Sequence, residues 1–529
     1  MNPTGLINQA PTIKVIIVAA KTIMVQGTGS HVGKSILVTA LCRLFAREGY
    51  KVCPFKAQNM ALNSCVVQGG GEIGWAQFAQ AEAAGIEPTV DMNPVLLKPT
   101  GECGSQVILH GKPIGNMSAR EYYKYREGAL DAVKESFGRL ASEYEVIVIE
   151  GAGSPAEINL KSNDIVNMKV AELANAPVLL ISDIDRGGVF AWLVGTMELL
   201  TEEEKDRVKG VVINKFRGDM SLLKDGLYLL EDRIKRPVIG VIPYFKDIKI
   251  MDEDSVSLDE RKVQRPVGQA SRLSSNALDI VVIRLPRISN FTDFIPLEES
   301  EGVRLRYVDN INDFGNPDLV IIPGTKNTLE DMVYLKKSEL AQAILDVAHK
   351  GTRIIGICGG FQMLGKEIHD PFGIESGHEK VKGLGLIEAV TVMEREKVTS
   401  QVKAVGLEKL EFLNEGDEVS GYEIHMGKTD LSGLARPLFK IIERNGNRVQ
   451  VMDGAVVNGG NVIGTYIHGL FDNDVFRNNL LGSLRKKKGT RLKYAEANPY
   501  AAKKEENYNK LAEIVRKNLD MKFIMDLIK

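Results

Sequence analysis

The sequence predicts an α/β protein with two doubly wound domains in one chain of 529 residues. Two observations predict this fold class. Short apolar runs alternate with helix-like stretches, first from Ile23 to about Pro243 and again from Ile280 onward. A chain of this length is also too long for one hydrophobic core, so two or three domains are expected. In such sheets ligands bind at the carboxyl ends of the strands, and we look for sites there.

Six apolar runs predict the strands of the first domain. Polar or glycine-rich sequence follows the end of each of the first five, as expected where parallel strands meet at a ligand-binding edge. The runs are Ile23–Val25, Val52–Phe55, Val146–Ile149, Val178–Ser182, Val211–Ile213 and Val238–Ile242.

The first of these strands runs into a glycine-rich loop and then an apolar helix. Backbone N–H groups of such a loop point at phosphate oxygens, and the helix N-terminus adds its positive dipole end. The usual pattern would place its first glycine at position 28, which is Thr28, and the nearest glycine is Gly27. The expected phosphate-binding residues are Gly27, Thr28, Gly33, Lys34 and Ser35. Lys34 would neutralise phosphate charge and the Ser35 hydroxyl would bind Mg²⁺.

A second α/β pattern follows a polar stretch that reads as a linker. Its predicted strands are Ile280–Ile283, Leu319–Ile322, Arg353–Ile357 and Val462–Ile467. The predicted organisation is an N-terminal extension (1–22), a phosphate-loop domain (23–251), a linker (252–277), a second domain (278–475) and a basic helical tail (476–529).

The third strand of the second domain ends at Cys358, which is followed by two glycines and a helix. This arrangement predicts a nucleophile elbow with cysteine in the usual serine position, and the helix N-terminus favours the thiolate. The N–H of Gly359 would serve an oxyanion hole, with a second donor from Gly324 at another strand end. His468, at the end of a predicted strand, suits the general base. His425 is a competing candidate.

Composition excludes several classes of protein. The chain has 67 basic and 69 acidic residues, a net charge of −2, so it gives no electrostatic case for nucleic-acid or membrane binding. No apolar run is long enough to span a bilayer. Its five cysteines are odd in number and form no C-x-x-C pair, which favours a reduced cytoplasm over a disulfide framework.

These motifs resemble known families. The loop from Gly27 to Ser35, Lys56, and the run Glu150-Gly151-Ala152-Gly153 resemble dethiobiotin synthetase, and Cys358 with His468 resembles a class I (triad) glutamine amidotransferase. Both together, in this order, resemble the cobyric acid synthase family. The more specific shared pieces are Lys56–Met60, Met92–Pro99, Ser105–Val107, Asp183–Phe190, Asn214–Asp219 and Leu285–Asp293.

The resemblance implies a reaction and its partners. L-Glutamine is hydrolysed at Cys358 and His468 to give ammonia, and ATP activates carboxylates of adenosylcobyrinic acid a,c-diamide, a corrinoid, so that ammonia converts four of them to amides. The resemblance also implies roles for single residues. Ser35 and Glu150 would hold Mg²⁺, Asn214 would contact adenine, and Lys56 would lie on the acyl-phosphate side. Either Asp183 or Asp185 could complete the metal site.

The sequence departs from the family pattern in two places. Triad amidotransferases usually carry an acid two residues after the histidine, and here that position is Leu470. Either another group orients His468, with Glu423 as a candidate, or the base acts without a third member. On the ATP side, Gly29 and His31 stand in the phosphate loop where the family is expected to have Ser and Asp, and Trp75 replaces an expected arginine. We expect these changes to tune contacts with the substrate.

Three alternatives remain at this point. A cobyrinic acid a,c-diamide synthase would use the same two domains on a different corrinoid. A partitioning or assembly ATPase shares the unusual phosphate loop but leaves Cys358 and His468 unexplained. A regulatory binding module with an inactive glutaminase is disfavoured because both of these residues are present.

Overall fold

The computed structural model describes residues 20–100, 104–161, 164–245, 248, 277–490 and 499–529. Nearly all of the expected N-terminal extension and of the expected linker lies outside these residues. In the part of the chain described, no helix combines the length and apolar character that a membrane span needs.

The first domain alternates strands and helices as expected, with additional short strands. In chain order its elements are β1 (Lys21–Gly27), α1 (Lys34–Arg47), β2 (Val52–Phe55), β3 (Gln58–Met60), β4 (Ser64–Val66), β5 (Glu72–Gly74), α2 (Trp75–Ala84), β6 (Val95–Pro99), β7 (Gly104–Leu109), β8 (Lys112–Ser118), α3 (Ala119–Glu143), β9 (Val146–Glu150), α4 (Met168–Leu173), β10 (Val178–Asp183), α5 (Val189–Leu199), α6 (Glu202–Arg207), β11 (Val208–Phe216), α7 (Met220–Ile234) and β12 (Val238–Pro243).

A six-stranded parallel sheet forms the centre of this domain, in the order β12-β11-β10-β1-β9-β2. Helices cover both faces, so the strands are apolar throughout; Ile23, Met24 and Val25 are all fully buried. Because β1 lies between β9 and β10, the loops after these three strands converge at one edge of the sheet.

The second domain begins with the same alternation and then changes character. From here to the end of the chain, with the helices of the C-terminal tail last, the elements are β13 (Leu278–Ile283), α8 (Ile295–Glu298), β14 (Val303–Val308), β15 (Leu319–Ile322), α9 (Thr328–Lys337), α10 (Leu340–His349), β16 (Arg353–Ile357), α11 (Gly359–Leu364), β17 (Glu367–His369), β18 (Lys380–Lys382), β19 (Ala389–Gly406), β20 (Glu418–Leu431), β21 (Phe439–Arg444), β22 (Asn447–Asp453), β23 (Ala455–Val457), β24 (Val462–Thr465), β25 (Ile467–His468), α12 (Asp474–Lys488), α13 (Tyr500–Asn518) and α14 (Met521–Leu527).

Two sheets make up this domain. The first has the order β14-β13-β15-β16-β24-β23 and is parallel except for β23. The second is built around the long antiparallel pair β19 and β20, which the sequence analysis did not predict. The fold class of two doubly wound domains is confirmed, with this sheet as an addition.

The predicted single strand Val462–Ile467 is wrong. The chain leaves the parallel sheet after Thr465, and β25 pairs instead with β20 of the antiparallel sheet. Asp453 stabilises the backbone between the two strands. Its carboxylate accepts a hydrogen bond from the Thr465 hydroxyl and one from the Tyr466 N–H at 3.1 Å. This break takes His468 out of the parallel sheet and pairs it with Tyr422 of β20.

The C-terminal helices return to the first domain. Leu511, Ala512 and Val515 of α13 are fully buried in the same apolar cluster as residues of α1. Arg43 of α1 donates to Asn509 of α13 at 2.9 Å. The end of the chain therefore stabilises the phosphate-loop domain by apolar burial.

Candidate active sites

Cys358 lies at a sharp turn between β16 and α11, as the sequence predicts. Its backbone adopts φ 52° and ψ −112°, a strained conformation for a residue with a side chain. The turn needs glycine nearby, because a Cβ on Gly360 would overlap the Ile322 carbonyl oxygen. This local geometry presents the thiol to a pocket at the carboxyl ends of β15 and β16.

His468 is held by Asp293, a residue that the sequence analysis did not assign to the site. The Asp293 Oδ2 lies 2.7 Å from His468 Nδ1, and its Oδ1 accepts the Gly469 N–H at 3.1 Å. Burial disfavours the charged imidazole, but the Asp293 carboxylate and the Cys358 sulfur outweigh it and raise the pKa of His468 to about 10. Cys358, His468 and Asp293 therefore have the arrangement expected of a nucleophile, a base and an orienting acid.

Of the alternatives left open for the group that orients His468, the structure supports neither Glu423 nor the absence of a third member, because Asp293 holds the ring. The Glu423 carboxylate binds the guanidinium of Arg444 through two hydrogen bonds of 2.9 and 3.0 Å. Its other neighbour is His425, whose Nε2 lies 3.6 Å away. Glu423 therefore links β20 to β21 through Arg444.

His425 lies at the same pocket but in a different setting. Its Nδ1 is 2.8 Å from the Gly427 carbonyl, and its ring stacks on Tyr466 with centroids 3.8 Å apart. Cys358 directs its thiol to the neighbouring Ile424 carbonyl at 3.3 Å. The contact with a carboxylate at hydrogen-bonding distance favours His468 over His425 as the base.

The two glycines expected for the oxyanion hole flank the cysteine. Gly359 is the first residue of α11, and a Cβ there would lie 3.2 Å from the Thr325 backbone N. A Cβ on Gly324 would lie 3.1 Å from His468 Cε1 and 3.6 Å from Cys358 Cβ. Both backbones therefore approach the thiol closely.

Several charged side chains line the pocket around Cys358. Lys326 and Glu375 from the second domain line it, and so do Lys397 of β19 and Lys98 of the first domain. Burial raises the pKa of Glu375 to about 7, and burial also lowers that of Lys326. The pocket thus presents both an acid and amines to whatever enters it.

The phosphate loop has the close packing that its glycines predict. A Cβ on Gly27 would lie 2.6 Å from Val32 Cγ2, and one on Gly33, where φ is +105°, would overlap Asn214 Nδ2. Asn214 donates to the Val32 carbonyl at 2.8 Å. The Thr28 hydroxyl is 2.8 Å from Ser182 Oγ. The structure therefore brings Asn214 of β11 onto the loop.

Glu150 is the centre of a buried polar group next to this loop. Its Oε1 accepts from Ser35 Oγ and from Lys56 Nζ, each at 2.9 Å, and its Oε2 accepts from Gln80 Nε2 at 2.6 Å. Burial opposes ionisation, but Lys56 holds the pKa of Glu150 below its usual value. Lys34 lies nearby and donates to the Gly29 carbonyl at 2.7 Å.

Ser35 and Glu150 supply the hard oxygen donors that Mg²⁺ prefers. Among the described residues no group of three His, Cys, Asp or Glu side chains could hold a metal ion. Mg²⁺ needs no such group, because it keeps water and substrate phosphates as ligands and takes only one or two from protein. Asp183 is paired with Lys215 at 2.8 Å and Asp185 with Arg217 at 2.9 Å. The donor set therefore fits Mg²⁺ without either aspartate.

The expectation that Trp75 contacts the substrate is wrong. Only 6% of Trp75 is exposed, and its ring stacks on Phe78 with centroids 5.0 Å apart. Its ring also contacts that of Tyr422, with centroids 6.4 Å apart, and Tyr422 stacks on His468 at 5.2 Å. Trp75 therefore links the first domain to the residues that pack against His468.

Sequence reasoning missed Asp293 for a physical reason. It is 175 positions from His468, on a short 3-10 turn (Phe291–Phe294), so no local spacing connects the two. The run Leu285–Asp293 was among the specific pieces of the resemblance, and its last residue was the available signal.

Comparisons with known proteins agree with this architecture. The family of CobQ/CobB/MinD/ParA nucleotide binding domains matches residues 23–258, and that of CobB/CobQ-like glutamine amidotransferase domains matches residues 279–476. The chain is 51% identical to the cobyric acid synthase of Clostridium tetani over 96% of this chain and 98% of that protein. It is 52% identical to the cobyric acid synthase of Dehalococcoides mccartyi (strain 195) over the same shares.

Proposed function

The chain belongs to the cobyric acid synthase family, and from this premise we propose how its two sites divide the reaction. It is a glutamine-hydrolysing ligase with an ATP-binding domain, and it amidates a corrinoid in cobalamin biosynthesis. The relatives match both domains over nearly their whole length, which disfavours a partitioning ATPase. They carry the name of the synthase that forms cobyric acid, which disfavours the a,c-diamide synthase.

The second domain is proposed to release ammonia. The Cys358 thiolate attacks the side-chain amide carbon of L-glutamine, and the N–H groups of Gly359 and Gly324 stabilise the oxyanion. His468 gives its proton to the leaving nitrogen as the C–N bond breaks, and then activates water against the thioester. Asp293 keeps the imidazole oriented and stabilises its charged form throughout.

The charges in the glutamine pocket are proposed to recognise the amino-acid end of the substrate. Free glutamine carries an α-carboxylate and an α-ammonium group, and both must be paired when they are taken from water. Lys326 supplies a cation and Glu375 an anion on the wall that also holds Cys358. This pairing separates glutamine from simple amides, which lack the two charges.

The first domain is proposed to activate the corrinoid carboxylate. Hydroxide is a poor leaving group, so phosphorylation is needed before ammonia can displace oxygen. Lys34 and Lys56 stabilise charge on the transferring phosphoryl group, and Asn214 contacts the adenine. Ser35 and Glu150 would hold Mg²⁺, which neutralises phosphate charge when bound.

The corrinoid is proposed to bind in the pocket beside the phosphate loop. Thr28 and Gly29 form one wall of this pocket, and Trp192 and Leu199 of α5 form another. Trp192 is 41% exposed, so its ring can lie against the apolar face of a macrocycle. The substrate we propose is adenosylcobyrinic acid a,c-diamide, amidated at its b, d, e and g carboxylates.

The observation that carries this proposal is the presence of both constellations in one chain, Cys358–His468–Asp293 and Ser35–Lys56–Glu150. A Cys358→Ala variant tests it. We expect the variant to lose glutamine hydrolysis and glutamine-dependent amidation but to amidate the corrinoid when ammonium chloride is supplied. A correctly folded variant that amidates the corrinoid with neither glutamine nor ammonium chloride would contradict the proposal that the two sites carry out separate half-reactions.

A further inference from the structure

The turn that carries Asp293 has an uncommon backbone conformation. Asn290, directly before the 3-10 segment, adopts φ 52° and ψ 39°. Residues with a side chain seldom occupy this left-handed region, although asparagine tolerates it better than most. Such a conformation persists where the surrounding contacts fix it. Residues 289–294, the acid turn, are all buried, so the contacts that fix it lie inside the protein.

The acid turn joins two parts of the glutamine site. At its start the Ser289 N–H donates to the Gly324 carbonyl at 2.9 Å, beside the proposed oxyanion hole. Further along, the Asp293 N–H donates to the Asn290 carbonyl at 3.0 Å, which closes the turn. The Asp293 carboxylate then lies 2.7 Å from Nδ1 of His468. A change in the backbone of this turn would therefore displace the acid from the imidazole.

The first domain supplies two of the hydrogen bonds that fix the acid turn. The Ser64 N–H donates to Asn290 Oδ1 at 3.2 Å, and the Phe291 N–H donates to Asn63 Oδ1 at 3.3 Å. Two asparagines, one from each domain, thus each accept from the backbone next to the other. Asn63 is 1% exposed and Asn290 is 2% exposed, so water cannot replace these bonds. A buried N–H that loses its acceptor costs about 1–3 kcal/mol.

Asn290 also contacts the residue that packs on His468. Its Nδ2 donates to the Tyr422 hydroxyl at 3.4 Å, and the Tyr422 ring stacks on the imidazole. The Ser64 N–H and the Tyr422 hydroxyl therefore hold the two ends of one amide group. With both contacts in place the amide is fixed, which stabilises the left-handed conformation of Asn290.

Asn63 is itself fixed by the first domain. Its carbonyl accepts a hydrogen bond from the N–H of Trp75, the first residue of α2, at 3.3 Å. Further along α2, Gln80 donates to the Glu150 carboxylate at 2.6 Å. The residues that hold the acid turn are therefore joined, through one short helix, to the site at which ATP is proposed to act.

We propose that Asn63 is a positioning residue of the glutaminase, although it belongs to the other domain. Together with the Ser64 N–H it fixes the acid turn, and through the turn it holds the Asp293 carboxylate against His468. The second domain therefore has a complete triad only while it is docked on the first. This inference rests on the proposed function, in which Asp293 is the acid that orients the catalytic base.

An Asn63→Leu variant tests this role, because leucine is similar in size and cannot accept the Phe291 N–H. We expect kcat for glutamine hydrolysis to fall by about 10- to 100-fold, since the acid is misplaced. The KM for glutamine should stay within about twofold of wild type, because the pocket charges are unchanged. Amidation of the corrinoid from ammonium chloride should stay within about threefold.

Combining Asn63→Leu with Asp293→Asn separates a positioning role from a merely structural one. If Asn63 acts through the Asp293 carboxylate, the double variant should hydrolyse glutamine no more slowly than Asp293→Asn alone. Losses that add in the double variant would overturn the proposal. Asn290→Gly serves as a second variant if Asn63→Leu does not fold. Glycine adopts φ 52° freely, so this change keeps the turn possible but removes the bond to Ser64, and the same pattern is expected.

The matched control is Gln401→Leu. Gln401 lies at the same domain interface and donates to the Val66 carbonyl at 3.0 Å, away from the acid turn. It should hydrolyse glutamine within about twofold of wild type, and an equal loss there would overturn the proposal in favour of a loosened interface. Wild-type kcat in both Asn63→Leu and Asn290→Gly would also overturn it. If Asp293→Asn alone hydrolyses glutamine normally, the proposed triad fails, independently of the Asn63 variants.

Discussion

The carboxylate of Asp293 lies 2.7 Å from Nδ1 of His468, across 175 positions of sequence. Both side chains are almost fully buried, so the hydrogen bond is charge-assisted and shielded from water. Asp293 reaches the histidine from the turn after β13, whereas the usual triad acid follows the histidine directly. A leucine at position 470, where the usual triad acid would stand, is therefore compatible with a complete triad.

Replacing Asp293 by asparagine should impair glutamine hydrolysis far more than amidation. The variant keeps the size of the side chain but loses the charge that raises the pKa of His468 to about 10. We expect kcat for glutamine hydrolysis to fall by about 10²- to 10⁴-fold, as for an orienting acid. Amidation from ammonium chloride, measured on the same preparation, should stay near wild type, and an unchanged glutaminase would contradict the role of Asp293.

Glutamine binding should depend on pH through Glu375. Burial raises the pKa of this carboxyl to about 7, so it is ionised above that pH and neutral below it. Only the ionised form can pair with the α-ammonium group. We therefore expect kcat/KM for glutamine to rise with pH through an apparent pKa near 7 and this rise to be lost in Glu375→Gln. The same profile in both proteins would assign the titration to another group.

Lys326 should act on glutamine and not on the thiol itself. The reagent 6-diazo-5-oxo-L-norleucine carries both α-groups of glutamine. In Lys326→Met we expect it to label Cys358 at least about tenfold more slowly than in wild type. Iodoacetamide, which lacks these groups, should label Cys358 at the wild-type rate. Equal slowing of both reagents would mean that Lys326 stabilises the thiolate and does not bind the substrate.

Substitution of Glu150 by glutamine should impair amidation and spare glutamine hydrolysis, which is the reverse of the effect expected for Asp293→Asn. The change removes the charge that Lys56 and Ser35 both contact while keeping the shape of the side chain. We expect corrinoid amidation to fall by about 10²-fold or more from either nitrogen source. Glutamine hydrolysis should persist. A variant that amidates normally would place the ATP chemistry elsewhere.

Gly360→Ala should destabilise the second domain. The new Cβ would overlap the Ile322 carbonyl oxygen, which is backbone and cannot move aside cheaply. We expect a loss of about 3 kcal/mol or more in the free energy of unfolding. In the control Gly138→Ala, on α3, a Cβ meets nothing within 4 Å. That change should instead stabilise the protein by about 0.5–1 kcal/mol. Chemical denaturation of both variants measures the contrast.

The parts predictable from sequence are those encoded by local pattern. Buried parallel strands are continuous apolar runs, so Val52–Phe55, Leu319–Ile322 and Arg353–Ile357 match the observed strands residue for residue. The loop at Gly33 and the elbow at Cys358 are also local, since each depends on adjacent glycines.

The rest depends on contacts between distant segments. The strands β19 and β20 intersperse buried residues with half-buried and exposed ones and carry charges such as Lys397, so they give no continuous apolar run. Trp75 is buried by a contact with Tyr422 of the second domain, and the local sequence gives no sign of this contact. Asp293 and Gln80 acquire their roles only when the fold brings them to His468 and Glu150.

Mass spectrometry of the corrinoid product tests the central claim most directly. Wild-type protein is incubated with ATP, Mg²⁺, adenosylcobyrinic acid a,c-diamide and glutamine that carries ¹⁵N in its amide. We predict four successive conversions of carboxylate to amide, each with ¹⁵N, and none without ATP. A corrinoid that gains no nitrogen, or gains nitrogen without ATP, would contradict the account.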